Sequence, residues 1–253
     1  MSYPRKIHIL WYQGFEEAPE LVKMNYFNHL KRQQGFEINF YDSRDVHKLL
    51  EKYKLNLDKL SFQAIADIFR IKILIDDGGY WLDSTVFINS ALEDFISHQE
   101  KSPFLFRNPA PDRPIANWFI GANRGDALLN IWFEAALKFF SEPRLPAPSI
   151  NYSNQSEALE DFSLFIKNKQ YPYFWPHYLY AKLLEEDQYF RKLDSFSLNR
   201  MDAEDSFRLS GFIDLNNRSA AEMYESKIAF ILEQRPIQKL YNNRNYCLSK
   251  IFK

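Results

Sequence analysis

The residues best suited to chemistry lie in one short stretch, residues 61–88. Asp67 and Arg70 are three positions apart in a segment whose apolar residues recur at helical spacing, so both side chains lie on one face of the predicted helix. Asp83 follows among mostly apolar residues, where a carboxylate is costly to bury unless it is ion-paired, hydrogen-bonded or bound to a metal. The stretch therefore predicts a site in which two helical charged groups and one acid on a strand share a cleft.

The helix that carries Asp67 and Arg70 has clear limits in the sequence. Ser61 is a plausible N-cap, and the pair Gly78 and Gly79 can adopt the left-handed conformation that ends a helix. The predicted buried face consists of Phe62, Ile65, Ala66, Phe69 and Ile73. Residues 80–88 then predict one apolar strand, interrupted by polar residues at positions 83–85.

The pattern of this stretch resembles a known family. An Asp-x-x-Arg pair on a helix, followed by Gly-Gly-x-Trp-x-Asp-x-Thr at residues 78–85, is similar to the capsular polysaccharide synthesis protein family. That family is in turn similar to glycosyltransferases with a DxD sugar-binding region, including the glucosyltransferase domain of large clostridial toxins. The resemblance is tight over residues 61–88 and weaker over 6–19 and 114–123. It implies an α/β GT-A fold, a Rossmann-like mixed sheet flanked by helices, with a helical C-terminal portion.

The resemblance also implies roles for the polar residues. Asp67 and Arg70 match helix residues that hold the nucleoside and the donor, and the alternative is a simple i,i+3 salt bridge. Asp83 takes the position of the first acid of DxD, which implies a catalytic role and coordination of Mn²⁺ or Mg²⁺. Thr85 replaces the second acid and brings no charge. We therefore expect the cation to bind only together with the donor.

Two further segments extend the resemblance on the N-terminal side. Trp11, at the end of the first predicted strand, matches a tryptophan that reaches the donor base, and the alternative is a core tryptophan. Asn117 lies in an Asn-x-Phe-Ile-Gly-Ala stretch that in the family lies beside the reacting sugar. This makes Asn117 a candidate for catalytic contact with the sugar or the acceptor, and the alternative is a turn-capping asparagine.

The C-terminal half resembles the family less closely. Relatives often have an acid followed by aromatic residues and a histidine. Here Pro172 stands where the acid would be, and His177 is the histidine. His177 is a candidate catalytic residue in the cleft, or else a packed, hydrogen-bonded histidine. Lys239 lies in a segment resembling a family segment in which the tail covers the donor and a lysine neutralises the diphosphate, and the alternative is an exposed lysine.

Composition narrows the class of protein. The chain has 253 residues, of which 46% are hydrophobic, so a sizeable single core is available. The net charge of -1 provides no argument for nucleic acid as a partner. Cys247 is the only cysteine, which excludes an internal disulfide and a cysteine-based metal cluster. The start of the chain shows no signal-peptide pattern and no apolar run approaches the ~20 residues of a membrane helix, so we expect a cytoplasmic protein.

The pattern of apolar residues predicts one domain over residues 1–253. Its nucleotide-sugar-binding α/β core is expected over residues 1–140, and residues 157–253 are expected to form a dependent helical part and tail. Strands are predicted at 6–12, 36–41, 80–88, 103–107 and 117–123, and helices at 19–33, 125–140, 157–168, 180–190 and 219–233. Residues 42–59 are expected to be helical and solvated, and residues 108–114 and 141–156 are expected to be loops.

The tail suggests a further partner. From Arg235 onward the chain has five Lys or Arg residues and no acid, interleaved with aromatic and apolar residues. This pattern is compatible with a weak peripheral contact with the anionic inner surface of the inner membrane, or with a frayed basic tail.

Together, the resemblance implies a retaining glycosyltransferase that moves a hexose from a nucleoside-diphosphate sugar, with UDP-sugars favoured. The acceptor would be a growing surface glycan, free or lipid-linked, of the capsule or lipopolysaccharide type. Two alternatives remain open: a nucleotide-sugar hydrolase, and a binding module for a nucleotide sugar or glycan that has lost turnover.

Overall fold

The computed structural model describes residues 3–96, 101–196, 201–207, 224–242 and 251–252. The strands are β1 (Lys6–Leu10), β2 (Glu37–Tyr41), β3 (Gly79–Leu82), β4 (Val86–Ile88), β5 (Phe104–Ala110), β6 (Arg113–Ala122), β7 (Leu145–Pro146), β8 (Gln170–Tyr171) and β9 (Ile237–Lys239). The helices are α1 (Glu20–Arg32), α2 (Ser43–Leu50), α3 (Phe62–Asp77), α4 (Leu92–Ile96), α5 (Ala127–Phe139), α6 (Gln155–Lys167), α7 (Trp175–Glu186), α8 (Gln188–Phe196) and α9 (Tyr224–Gln234). Short 3₁₀ turns occur at Glu51–Tyr53, Leu57–Lys59 and Glu204–Phe207.

A five-stranded mixed sheet lies at the centre, in the order β2-β1-β3-β6-β5. Strand β1 pairs in parallel with β2 and β3, whereas β6 runs antiparallel to both β3 and β5. Helices cover the sheet, so the expected α/β architecture, a mixed sheet flanked by helices, is confirmed. Strand β4 pairs separately with β9, and β7 pairs with β8.

The inner strands of the central sheet, β1, β3 and most of β6, are buried on both faces, which explains their nearly continuous apolar character. Successive residues of β3 illustrate the arrangement, because side chains alternate between the two faces of a strand. Trp81 belongs to the hydrophobic cluster formed with α3, α5 and α7, whereas Tyr80 and Leu82 belong to the cluster on the opposite face. The site-bearing end of β3 is therefore held from both sides.

Helix α3 lies in the centre of the first cluster and has the predicted limits. The hydroxyl of Ser61 accepts a hydrogen bond from the backbone N–H of Ala64 at its start. At its end, Gly78 and Gly79 have φ values of +67° and +95°. A Cβ on Gly79 would collide with the carbonyl of Lys6, so β3 can approach β1 only because this residue is glycine.

Three boundaries differ from those expected. Residues 80–88 form two strands in different sheets, because a turn at Asp83 separates β3 from β4. Residues 108–114 are not a loop, since both strands of the β5–β6 hairpin continue into them. The helical segment after residue 171 is divided at Asp187, and part of the connection over 141–156 pairs as β7 with β8.

Helix α1 buries a polar face. Its side-chain amides donate to main-chain carbonyls along β4 and its flanks: Asn25 to Ser84 at 3.0 Å, Asn28 to Ile88 at 2.8 Å, and Gln33 to Ser90 at 2.8 Å. The imidazole Nε2 of His29 donates to the Val86 carbonyl at 3.1 Å. Meanwhile Phe27 of the same helix is 58% exposed. The side chains of α1 thus take the place of a neighbouring strand along one edge of β4.

The C-terminal part is described only in pieces. Residues 243–250 and 253, which carry most of the predicted membrane-contact pattern, lie outside the described residues, as does the start of the predicted helix at 219–233. Within the described ranges, no helix has the length and apolar character needed to cross a bilayer. Helix α9 and Leu240, which follows β9, pack with Leu21 and Phe87 in a third small hydrophobic cluster.

We predict that acid weakens the fold through His29. Burial lowers the pKa of His29 to about 4, although its bond to Val86 opposes the shift. The unfolded chain then binds more protons than the folded one between pH 6.5 and 4, so stability is full above pH 6.5 and falls as the pH drops. The contribution of His29 is at most about 3 kcal/mol.

Denaturant unfolding at pH 7.5 and pH 4.5 measures this effect. The variant His29→Gln, which retains a donor for Val86, should lose less stability between the two pH values than the parent. His47→Gln, at an exposed histidine, is the matched control. A pH dependence in His29→Gln equal to that of the parent would contradict the assignment.

Candidate active site

A cleft of about 560 Å³ opens beside the carboxyl ends of β1 and β3. This is the place where open α/β sheets usually bind ligands, and the volume falls within the range of about 300–1,000 Å³ typical of small-molecule sites. All the residues predicted for the site line this one cleft: Trp11, Asp67, Arg70, Asp83, Thr85, Asn117, His177 and Lys239.

Arg70 lies at the centre of the site. Its Nη2 is 3.1 Å from Oδ1 of Asp67 and 3.3 Å from Oδ1 of Asp83. Its Nη1 donates to the main-chain carbonyl of Asn117 at 2.6 Å. The Arg70 side chain is only 8% exposed, so its charge depends on these partners rather than on water. The interaction is thus more than a surface i,i+3 salt bridge, because it joins α3 to the end of β3 and to β6.

Two neighbours orient the carboxylates. The Asn117 amide donates to Oδ1 of Asp67 at 2.9 Å, and the Trp81 indole donates to Oδ1 of Asp83 at 3.0 Å. Arg70 lies over the Trp81 ring, 5.1 Å from its centroid. Asn117 is therefore a partner of Asp67 in this structure, and is not a turn cap.

The two acids have different electrostatic environments. Burial raises the pKa of Asp67 to about 7, although Arg70 opposes this shift. Burial also disfavours the charged form of Asp83, but the positive charges of Arg70 and Lys239 outweigh it and the pKa is lowered. Asp83 is therefore the acid that stays ionised most readily.

The turn after β3 meets the C-terminal segment of the chain. Nζ of Lys239 lies 3.2 Å from Oδ2 of Asp83 and donates to Oγ1 of Thr85 at 2.6 Å. Strand β9 positions this lysine, since Lys239 is in register with Val86 and the N–H of Leu240 donates to the Thr85 carbonyl at 3.1 Å. Lys239 is thus not an exposed lysine, because its side chain is 14% exposed.

The described side chains do not fit a bound divalent cation as they stand. Within the described ranges, no group of three or more His, Cys, Asp or Glu residues could hold a metal. Asp83 and Thr85 supply one carboxylate and one hydroxyl, and both already contact the Lys239 ammonium. Mg²⁺ and Mn²⁺ take several oxygen ligands and would have to displace this lysine. Donor-dependent binding of Mn²⁺ or Mg²⁺ stays a prediction.

Aromatic residues form one wall of the cleft, near Trp11. The rings of Tyr12 and Phe62 stack at a centroid distance of 4.5 Å and an interplanar angle of 26°. The indole Nε1 of Trp11 is buried and makes no hydrogen bond within the described residues. A flat apolar surface next to an unused donor suits a heterocyclic base, but a role for Trp11 in base binding is a prediction.

His177 also lines the cleft. Burial first, and then the charges of Arg113 and Arg70, lower the pKa of His177 to about 3, so the imidazole is neutral at physiological pH and a weak base. Its Nδ1 is buried and makes no hydrogen bond within the described residues. Arg113 stacks on Phe174, with Cζ 3.8 Å from the ring centroid. His177 lies in the cleft, as expected, but it is not a fully hydrogen-bonded core histidine.

No role was predicted from the sequence for Arg113, or for Trp81 beyond its place in the Gly-Gly-x-Trp-x-Asp-x-Thr pattern. Trp81 could have been found, because it lies two residues before Asp83 and so projects from the same face of the strand. Arg113 lies in a segment predicted as a loop, so no position in the cleft was expected for it. Its place in the cleft depends on the β5–β6 hairpin, for which the three prolines of residues 108–114 provided no signal.

Sequence comparisons match parts of this chain to a protein family and to a curated relative. Residues 1–147 match the family described as capsular polysaccharide synthesis protein. An uncharacterized glycosyltransferase of Acanthamoeba polyphaga mimivirus is 30% identical over 105 residues, which are 37% of this chain and 39% of that protein. The match thus spans well under half the length of this relative.

Solved structures show weaker likeness. The PaToxG glycosyltransferase superposes with a TM-score of 0.46 at 14% identity, over 77% of this chain and 75% of that chain. The glycosyltransferase GlyE of Streptococcus pneumoniae TIGR4 superposes with a TM-score of 0.41 at 9% identity, over 95% of this chain and 55% of that chain. Both TM-scores are below 0.5, and on their own they do not establish a shared fold.

We predict that Arg70→Met destabilises the protein by about 3–5 kcal/mol, because it leaves the buried Asp67 and Asp83 without the guanidinium that pairs with both. The double variant Asp67→Asn/Arg70→Met removes one of these acids and should recover part of the loss. Urea unfolding at pH 7.5 measures both. Lys182→Met, which breaks only the partly exposed pair with Glu186, is the control and should change stability by less than about 1 kcal/mol. A similarly small change for Arg70→Met would show that the network is not needed for stability.

Proposed function

The chain belongs to the capsular polysaccharide synthesis protein family, and we propose that it is a glycosyltransferase. The proposed reaction moves a hexose from a nucleoside-diphosphate sugar, with a UDP-sugar as the favoured donor, onto a growing surface glycan of the capsule or lipopolysaccharide type. The observation that carries the proposal is the joint presence of Asp67, Arg70, Asp83 and Lys239 in one cleft beside the carboxyl ends of β1 and β3.

Such a transfer needs three things: a grip on the nucleoside, positive charge that neutralises the leaving diphosphate, and a place for the acceptor hydroxyl. The residues of the cleft support all three. The aromatic wall with Trp11 and Tyr12 is proposed to hold the base. Arg70, Asp83 and Lys239 are proposed to face the diphosphate and sugar. The wall with Tyr173 and His177 is left for the acceptor glycan, since sugar faces pack well on aromatic rings.

We propose that the transfer retains the anomeric configuration. Among the described residues of the cleft, the only carboxylates are Asp67 and Asp83, and both are paired with Arg70. Asp83 also contacts Lys239 and its pKa is lowered, so it is a poor base. The pKa of Asp67 is raised to about 7, but its Oδ1 contacts Arg70 and accepts a hydrogen bond from Asn117, which oppose proton transfer to this oxygen. His177 is a weak base because of its low pKa. In front-face transfer, the bond from the anomeric carbon to the phosphate oxygen breaks and the bond to the acceptor oxygen forms on the same face. The acceptor proton passes to the leaving phosphate.

Two means of neutralising the leaving diphosphate are compatible with the proposal. One is Mn²⁺ or Mg²⁺ on Asp83 and Thr85, which would stabilise charge on the phosphate oxygens and would have to bind with the donor. The other is the ammonium of Lys239, which is already at that position.

The first test is a panel of UDP- and GDP-sugars, screened by thermal shift and then assayed for donor turnover with and without glycan acceptors. We expect one donor to stabilise the protein and to be consumed only when an acceptor is present. Asp83→Asn should reduce turnover by at least about 100-fold, because Asp83 would hold the cation, Lys239 or a metal ion, that stabilises the negative charge on the leaving diphosphate. Asp94→Asn, at an exposed acid that does not line the cleft, should retain activity.

The same panel separates the alternatives. Donor consumption that does not depend on acceptor would identify a nucleotide-sugar hydrolase. Donor binding without turnover under any condition would identify a binding module. Absence of binding by every nucleotide sugar would contradict the proposal itself.

We also propose, from the sequence of the tail alone, a peripheral contact with anionic inner-membrane lipid that would bring a lipid-linked acceptor to the cleft. Deleting the residues after Asn243 should weaken co-sedimentation with vesicles containing anionic lipid, and raising the salt concentration should have the same effect because it screens the charges. Zwitterionic vesicles are the control. If the intact protein does not bind anionic vesicles, the tail has no such role.

A further inference from the structure

Lys239 occupies a position where a metal-dependent sugar transferase would need a cation. Its Nζ bridges Oδ2 of Asp83, at 3.2 Å, and Oγ1 of Thr85, at 2.6 Å. These two oxygens belong to the residues that match the first and second acids of a DxD motif. The ammonium therefore interacts with both groups that would otherwise be available to a divalent cation.

The position of Lys239 is set by the backbone. Strand β9 pairs antiparallel with β4, with Lys239 opposite Val86 and Gln238 opposite Phe87. The Asn89 N–H donates to the Pro236 carbonyl at 2.9 Å and extends this pairing at its far end. The opposite edge of β4 is held by the side chains of α1. Since both strands are fixed, their main-chain pairing places Lys239 next to the turn at residues 83–85.

We propose that the Lys239 ammonium replaces the divalent cation, so that this protein binds the donor diphosphate and neutralises its leaving charge without a metal. The inference rests on the proposed function, because it assigns the group that acts on the leaving phosphate in the same cleft. Thr85 is part of the same arrangement: its hydroxyl accepts from the ammonium and adds no negative charge that would attract a divalent cation.

The charges of the site support this assignment. The network contains two permanent cations, Arg70 and Lys239, against two acids, Asp67 and Asp83. Burial raises the pKa of Asp67 to about 7, so this acid is partly protonated at neutral pH and the two cations exceed the ionised acids. Arg70 and Lys239 would repel an added divalent cation, whereas they would attract a doubly charged diphosphate. An ammonium has three N–H donors, of which Asp83 and Thr85 use two. One donor is left for an oxygen of the incoming diphosphate.

The chemical step balances without a metal or a second base. As the bond from the anomeric carbon to the phosphate oxygen breaks, both bonding electrons stay on that oxygen. The Lys239 ammonium donates a hydrogen bond to the leaving diphosphate and keeps its proton. The acceptor hydroxyl forms the new glycosidic bond and its proton goes to the phosphate. Lys239 thus contributes charge rather than proton transfer.

Calorimetry with UDP and with GDP tests the inference in two buffers, one containing excess EDTA and one containing Mn²⁺ without a chelator. The parent should bind one of these nucleotides in both, with affinities that differ by less than about 3-fold. Lys239→Met, which keeps the length of the side chain without its charge, should bind about 30-fold more weakly, as is usual for the loss of one partner of a buried charge pair. Lys239→Arg should recover part of this loss, and Lys182→Met is the control for an unrelated lysine.

An exchange variant gives a second, independent test. Thr85→Asp/Lys239→Met replaces the ammonium and hydroxyl by a second carboxylate, which recreates a two-acid site. Its nucleotide affinity should become dependent on Mn²⁺, rising by at least about 10-fold when the cation is added. A circular dichroism spectrum and a cooperative unfolding transition show whether each variant is folded.

The outcomes separate this inference from the proposed function. A parent protein that binds nucleotide, or turns over a donor, only when Mn²⁺ is present overturns the role of Lys239 and leaves the transferase proposal intact. A folded exchange variant that is indifferent to Mn²⁺ also overturns it. Metal-independent nucleotide binding that depends on Lys239, without sugar transfer to any acceptor, supports the role of Lys239 and contradicts the transferase.

Discussion

The burial of Arg70 is the constraint on which the site depends. A guanidinium cannot lose its proton in a protein, so once it is only 8% exposed it must be paired by the surrounding structure. Besides the Ala66 carbonyl of its own helix, its partners are Asp67 from α3, Asp83 from the turn after β3, and the Asn117 carbonyl from β6. The same interactions that satisfy the charge therefore set the relative position of the helix and the two strands. The packing of these elements and the arrangement of the charged groups in the site therefore both depend on Arg70.

The second constraint is the short strand β4. A strand of three residues has two edges of main-chain N–H and carbonyl groups, which must find partners once they are buried. On one edge the partner is β9, and on the other the partners are side chains of α1, such as Asn25 and His29. This requirement explains why polar residues of α1 are buried whereas Phe27 is exposed. It also brings Lys239 to Thr85.

The chemical character of the cleft follows from these two constraints together. Paired acids and fixed cations surround the position at the end of β3, and aromatic side chains form the walls on either side. Such a site is electrostatically suited to a ligand that carries negative charge in the middle and flat or apolar groups at its ends. In the proposed function this ligand is a nucleoside-diphosphate sugar, in which the diphosphate lies between a flat base and a sugar.

Local rules allowed much of the site to be predicted from the sequence. The spacing of Asp67 and Arg70, the cap at Ser61 and the glycine pair after Asp77 all act within one or two helical turns, so residue types alone indicate them. The central strands were predictable for a similar reason, although their ends were not.

Long-range pairing was decided only by the tertiary structure. Residues 80–88 look like one strand in sequence, and they divide because Val86–Ile88 pairs with a segment about 150 residues later. The hydrogen bond between Lys239 and Thr85 joins residues 154 positions apart. The buried polar side chains of α1 are satisfied by main-chain carbonyls of β4, which are also distant in sequence. The sequence by itself therefore determined the site-bearing helix and the identity of its charged groups. Which cation lies beside Asp83 was decided by strand pairing, because the free energy of that pairing depends on a partner that no local pattern reveals.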